Sequence, residues 1–248
     1  MINVIDDINK SRYRNKIKNI NLIKNTNTNT TNKVDNKIEY ENIKDIDNYE
    51  NNYSDILKVI LLGDTNTGKT SFVNKLTNSC KDDTCLTTTI GVDFAKHSIK
   101  YKDTIIRSIL WDTAGMETYG SIVTSYYRMI DGVIIFFDLN NFDSYQSFEY
   151  WLNDVIYYVK TGIIYIIGNK SDLEKKISKS DVVDFINSNY KNYEIYYKEI
   201  SIKNNIPNVK DIYAEYIINL FRKINNKKSI INNTTVKIGK KENKKCCF

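Results

Sequence analysis

The chain has 248 residues, 41 % of them hydrophobic and 27 % charged, with a formal net charge of +6. That suffices for the core of one α/β domain with appendages, and the longest apolar run, Val133 to Phe137, is far too short to cross a bilayer. His97 is the single histidine, and Cys80 and Cys85 lack a CxxC partner pair. A zinc site or a Cys–His nucleophile is therefore not expected, and free thiols in a reducing cytosol are the simple account.

Residues 1–54 read as a disordered Asn-rich extension. They include Asn25-Thr26-Asn27-Thr28-Asn29-Thr30-Thr31-Asn32, and ordering such a stretch costs about 1–2 kcal/mol per residue with little apolar burial to offset it. The alternative is partner binding through Ile2, Ile5, Ile8 and Tyr13. No signal peptide is expected, because Asp6 and Asp7 interrupt the start, and Ile at position 2 precludes myristoylation.

From 55 to 225 strands and helices alternate as in a doubly wound α/β sheet. Strands are expected at 56–62, 94–101, 104–111, 132–138, 163–168 and 194–200, and helices at 69–77, 118–129, 144–160, 180–188 and 209–224. The first strand runs into Gly63-Asp64-Thr65-Asn66-Thr67-Gly68-Lys69-Thr70-Ser71, of the form G-x-x-x-x-G-K-T. Such a loop wraps backbone N–H groups around phosphate oxygens, and the helix behind it adds positive potential. Lys69 would reach the β- and γ-phosphates, and the Thr70 hydroxyl would ligate Mg²⁺.

Further along, Thr89 precedes Ile90-Gly91-Val92-Asp93-Phe94, and its hydroxyl could complete the metal shell when a γ-phosphate is present. Trp111-Asp112-Thr113-Ala114-Gly115 ends an apolar strand, with Asp112 placed to hold Mg²⁺ through water and Gly115 able to bring its N–H close to the γ-phosphate. Asn169-Lys170-Ser171-Asp172 follows another apolar run. Asp172 can accept from N1–H and N2–H₂ of guanine, a donor pair that adenine lacks. Asn169 would tie this loop to the phosphate loop, and the Lys170 stem would cover the base. Four separated segments thus converge on one Mg²⁺–guanine nucleotide. In the last helix Ile212, Tyr216, Leu220 and Ile224 form a core-facing stripe.

These motifs, with Tyr126-Tyr127-Arg128 and the terminal Cys246-Cys247-Phe248, resemble those of a Rab-type small GTPase of the Ras superfamily. The resemblance covers residues 56–225 and the last three. It implies the Ras-like P-loop fold, a six-stranded mostly parallel sheet with helices on both faces, and a GDP/GTP switch in vesicle traffic. It also implies that Ser201-Ile202-Lys203 is the last guanine loop, where the family usually has Ser-Ala-Lys, and that Ile90, Phe94, Trp111 and Tyr126 form the effector surface. Exchange factors, GTPase-activating proteins, effectors, and prenylation and membrane-extraction machinery are the implied partners.

Three departures stand out. Met116 replaces the glutamine that orients the attacking water, and a thioether cannot hold that water in line. Intrinsic hydrolysis by Lys69, Thr89, Gly115 and Met116 should therefore be slower by about one to two orders of magnitude. Asn66 stands where relatives usually have Gly, and Asn is the least costly replacement if φ there is positive. The segment between Phe72 and Phe94 has no aromatic residue to lie against guanine, so Cys85 or Leu86 would serve as cover and nucleotide retention should be looser.

Residues 226–248 read as a flexible basic tail. Lys223, Lys227, Lys228, Lys237, Lys240, Lys241, Lys244 and Lys245 face only Glu242, and each lysine near an anionic leaflet adds about 1 kcal/mol. The resemblance implies double geranylgeranylation of Cys246 and Cys247, which anchors stably where one lipid would not. A cytoplasmic-face membrane location, cycling with cytosol, follows as the expectation. Nucleic acid is not an expected partner, because the excess charge lies in the tail without an aromatic stacking platform. The alternative function is a GTP-binding recruitment module with negligible hydrolysis.

Overall fold

The computed structural model describes the backbone of residues 43–45, 55–79, 89, 91–113, 126–127, 130–156, 158–159 and 163–238, and side chains from 56 to 227 within those segments. All of these belong to the unit Lys37–Phe248; the unit Met1–Asn36 lies outside them. The strands are β1 (Ile43–Asp45), β2 (Asp55–Leu62), β3 (Val92–Tyr101), β4 (Thr104–Thr113), β5 (Gly132–Asp138), β6 (Ile163–Asn169) and β7 (Glu194–Glu199). The helices are α1 (Lys69–Thr77), α2 (Phe142–Val155), α3 (Lys179–Asn189) and α4 (Val209–Ile238).

One sheet runs in the order β1-β3-β4-β2-β5-β6-β7. The pairs β2–β4, β2–β5, β5–β6 and β6–β7 are parallel, while β3–β4 is an antiparallel hairpin turning at Lys102, whose φ is 55°. Every residue of β5 and β6 is buried. Strands covered on both faces read as unbroken apolar runs, and GVIIFFD and IIYIIGN do so. The chain leaves β2 for neighbours on either side, so the loop after β2 opens at the point where the strand order diverges. Ligands bind at such points in open α/β sheets.

Two core layers flank the sheet. Phe72, Val73 and Leu76 of α1 pack with Ile212, Tyr213 and Tyr216 of α4 on one face. Phe148 and Leu152 of α2 pack with Val182 and Ile186 of α3, and with Tyr127, on the other. The expected stripe of α4 is seen, with Ile212, Tyr216 and Leu220 buried and Ile224 packed against the same layer.

The six expected strands form, and β1 adds a seventh at the edge, pairing Ile43–Asp45 with Ile99–Tyr101. Those three residues fall in the segment expected to be disordered; an edge strand needs only backbone partners, which hydropathy does not report. The remaining residues of 1–54 lie outside the described ones. Helix α2 starts at Phe142, two residues before the expected start, because the Asn141 side chain accepts from the backbone N–H groups of Asp143 and Ser144. It ends at Val155, short of 160. Helix α4 continues to Ile238, so 226–238 is helical where a flexible tail was expected. The expectation ended where the buried stripe ends, yet helical hydrogen bonds are local and need no burial. Of the helix expected at 118–129, only Tyr126 and Tyr127 are described, and both are helical. No helix among the described residues is long and apolar enough to cross a membrane.

Gly132 begins β5 beneath α4. A Cβ there would lie 2.0 Å from the Tyr216 hydroxyl and 2.8 Å from Leu220 Cδ2. The hydroxyl is held by its hydrogen bond to Val133 O at 3.2 Å, so it has little room to yield. Gly132→Ala should cost about 1–3 kcal/mol, read from urea unfolding midpoints.

Candidate functional site

The glycine loop leaves β2 and closes on itself through Asp64. The Asp64 carbonyl accepts the Thr67 hydroxyl at 2.8 Å and the Lys69 ammonium at 2.8 Å. Lys69 also donates to Gly63 O at 2.6 Å and is only 5 % exposed, so its charge is held inside the loop. Asn66 has φ 63°, meeting the condition under which Asn is the cheapest non-glycine residue. Gly68 has φ 107°, and a Cβ there would sit 2.3 Å from Asn169 Nδ2. Only glycine leaves the space through which the neighbouring loop reaches this one.

That reach is a pair of hydrogen bonds. Asn169, at the end of β6, donates from Nδ2 to Thr67 O at 2.9 Å and accepts from the backbone N–H of Ile202 at 3.2 Å. One carboxamide therefore joins the loops after β2, β6 and β7. The Ser201 hydroxyl donates to Asp172 Oδ1 at 2.5 Å and holds that carboxyl below the usual range. Ser201 in turn accepts from the backbone N–H of Asn204 at 3.1 Å. Asp172 and Lys203 are exposed. Lys170, with φ 62°, pairs with Asp138 at 2.8 Å, which restrains the end of its side chain.

Ile202 is buried, and its Cδ1 would lie 3.1 Å from a Cβ placed on Gly68. The residue larger than the family's usual Ala thus fills the seam between two loops and joins the α1–α4 core layer.

Thr70, Thr89 and Asp112 come together. The two hydroxyls are hydrogen-bonded to each other at 2.7 Å, and both act on the Asp112 carboxyl. Burial pushes that carboxyl above 3.8, against hydrogen bonds from Thr70 and Thr89 and the nearby charge of Lys69. Asp112 Oδ1 is buried with no hydrogen-bond partner among the described residues. An orphaned carboxylate oxygen beside two hydroxyls suits a hard cation, which takes oxygen ligands. No group of three Asp, Glu, His or Cys able to hold a metal lies among the described residues, so such an ion would be shared with phosphate.

On the sheet surface Trp111 lies between two rings, edge-on to Phe94 at 5.4 Å and to Tyr126 at 5.1 Å. Trp111 itself is only 9 % exposed whereas Phe94 is 55 % exposed, so Phe94 presents this cluster to solvent. Thr65 and Ser71 lie on the loop and on α1. Ile90, Gly115, Met116, Cys246 and Cys247 lie outside the described residues, as do Cys85 and Leu86.

Two contributors escaped the sequence reading. Asp138 ends a buried strand with a carboxylate, the same signal that marks Asp112, and could have been found by it. Trp151, whose Nε1–H donates to Asp64 at 2.9 Å, gave no signal because 87 positions separate the pair.

This architecture is the Ras-like α/β fold, and residues 58–223 match the Ras family. The chain is 31 % identical over 182 residues to Ras-related protein RABA1h of Arabidopsis thaliana, covering 72 % of this chain and 80 % of that protein. It is 37 % identical over 125 residues to Ras-related protein Rab-1C of Dictyostelium discoideum, covering 50 % and 62 %. With Ras-related protein Rab-25 of Canis lupus familiaris it shares 35 % over 128 residues, covering 51 % and 59 %. The chain therefore belongs to the Ras family, as a Rab-type small GTPase.

Asn66→Ala should cost about 1 kcal/mol in urea unfolding, since Ala bears the full left-handed penalty, whereas Asn66→Gly should be near neutral. The raised folded-state pKa of Asp112 means its stability contribution is full at low pH and lost as pH rises through the raised value. Asp112→Asn should therefore raise the melting temperature of nucleotide-free protein, by a margin that grows as pH rises from 3.8.

Proposed function

We propose that this Rab-type GTPase is a membrane-recruiting switch that binds GTP and GDP with Mg²⁺ and hydrolyses GTP slowly. The observation that carries the reading is the convergence of Lys69, Thr70, Thr89 and Asp112 on one side, joined through Asn169 to Ser201 and Asp172 on the other. Lys69, Thr70 and the loop amides of residues 63–71 would bind the phosphates. Asn169, Lys170, Asp172, Ser201, Ile202 and Lys203 would form the base pocket.

Thr70, Thr89 and Asp112 would hold the metal, which when bound neutralises charge shared between the β- and γ-phosphates. Gly115 would offer its N–H to the γ-phosphate. The Ser201 hydroxyl hydrogen-bonds the Asp172 carboxyl and favours its ionised form, the state needed to accept two hydrogen bonds from guanine. Adenine would leave that charge unmatched.

GTP would order the segments around Thr89 and Gly115, and effectors would read them together with Ile90, Phe94, Trp111 and Tyr126. Exchange factors and activating proteins would drive the cycle. Prenyl groups on Cys246 and Cys247, with the lysine-rich end, would hold the protein on the cytoplasmic face of an intracellular membrane. Extraction machinery would return it to the cytosol.

Met116 favours a second reading, a binding module that recruits effectors with negligible hydrolysis. Single-turnover hydrolysis of preloaded GTP separates the two. Met116→Gln should speed hydrolysis about tenfold or more, the worth of one positioning contact. Equal rates in wild type and variant would mean the chemistry is already disabled elsewhere, and the binding-module reading would stand.

A further inference from the structure

Trp151 sits on α2, on the face of the sheet opposite α1, yet it bonds to the glycine loop. Its ring is 4 % exposed and packs with Leu62, Phe148 and Leu152. Tyr150 meets it edge-on at 5.2 Å. Volume alone could be supplied there by Phe or Leu. A buried indole N–H, by contrast, requires an acceptor, and the acceptor is Asp64 Oδ1 at 2.9 Å.

Asp64 is the residue through which the loop closes. Its carbonyl accepts from Thr67 N at 3.4 Å, from the Thr67 hydroxyl at 2.8 Å and from Lys69 Nζ at 2.8 Å. The main chain of one residue thus organises the loop, while its side chain is tethered to the rigid helix α2. The same helix is tied to the base-side loop at its other end. Ser144 Oγ accepts from Asp138 N at 3.0 Å, and Asp138 pairs with Lys170 at 2.8 Å. Helix α2 therefore holds the phosphate and base halves of the site from one scaffold. A carboxylate beside a phosphate-binding loop repels the anion more strongly the nearer it comes, and the bond to the indole fixes where this one lies.

We infer that Trp151 is a positioning residue for nucleotide retention, acting through its hydrogen bond to Asp64. The inference rests on the glycine loop holding the phosphates of a guanine nucleotide. Removing the N–H while keeping an aromatic ring should loosen the loop and speed dissociation more than association.

The experiment follows release of a fluorescent GDP analogue from the full chain in wild type, Trp151→Phe, Asp64→Ala, Asp64→Asn and the Trp151→Phe/Asp64→Ala pair. A hydrogen bond to a charged group is strong enough that Trp151→Phe should speed release about five- to tenfold. Its association rate should change less than about twofold, since retention differences lie mostly in dissociation. In the Asp64→Ala background Trp151→Phe should change release by less than about twofold, because the bond is already gone. Asp64→Asn keeps an acceptor oxygen and should release more slowly than Asp64→Ala.

An equal effect of Trp151→Phe in both backgrounds would mean the ring acts by packing alone, and would overturn the inference. So would no effect in wild type. Should Trp151→Phe fail to fold, Asp64→Ala against Asp64→Asn decides alone: equal release overturns it. A wild-type chain that binds no GDP analogue would instead reject the guanine-nucleotide reading on which the inference stands.

Discussion

The carboxamide of Asn169 is the interaction on which the rest of the site depends. It is 4 % exposed and satisfies both of its polar ends, the N–H₂ on Thr67 O and the oxygen on Ile202 N–H. A carboxylate there would face the Thr67 carbonyl with no proton between them, and a leucine would leave two buried backbone groups unmatched at about 1–3 kcal/mol each. Because β6 is buried along its whole length, the sheet sets the position from which this side chain reaches out. The glycine loop and the last loop are therefore registered to each other through one rigid strand. Gly68 keeps the path open, since any Cβ would collide with the same amide nitrogen.

Around that bridge the chain tolerates substitutions that look disruptive in sequence. Asn66 takes the left-handed backbone that its short polar side chain permits. Ile202 places its extra carbons in the seam beside Gly68 and in the α1–α4 core layer, where apolar volume is favourable. The two changes are accommodated in different ways, one by backbone conformation and one by packing. Neither disturbs Lys69, which stays enclosed by two carbonyl oxygens.

Much of the fold was legible because its strands carry a strong local signal. GVIIFFD and IIYIIGN can be little other than strands covered on both faces, and both appear at the expected positions to within one residue. Element ends were less legible. The Asn141 cap moved the start of α2 to Phe142, and α4 ran on to Ile238 past the end of its buried stripe. Strand β1 was not legible, because three residues paired by backbone to the edge of β3 need no hydrophobic pattern. Among candidate site residues, those carried by short motifs were read directly, and the structure brings Thr70, Thr89 and Asp112 into one cluster. Trp111, expected on the effector surface, is 9 % exposed and meets the rings of Phe94 and Tyr126 edge-on, since motif position says nothing of depth.

By itself the sequence marked the segments expected to bind phosphate and base, because glycine spacing, a following lysine and acids at strand ends are local properties of the chain. It also determined the alternation of strand and helix, since hydrophobic periodicity is local too. Only the tertiary structure decided which distant groups complete one another. Trp151 and Asp64 are 87 positions apart, Asp138 ends β5 while Lys170 follows the neighbouring strand β6, and the seam filled by Ile202 exists only once two loops are docked. Hydrogen bonds and packing act over a few ångströms, so partners far apart in the chain have no shared pattern until the sheet brings them together.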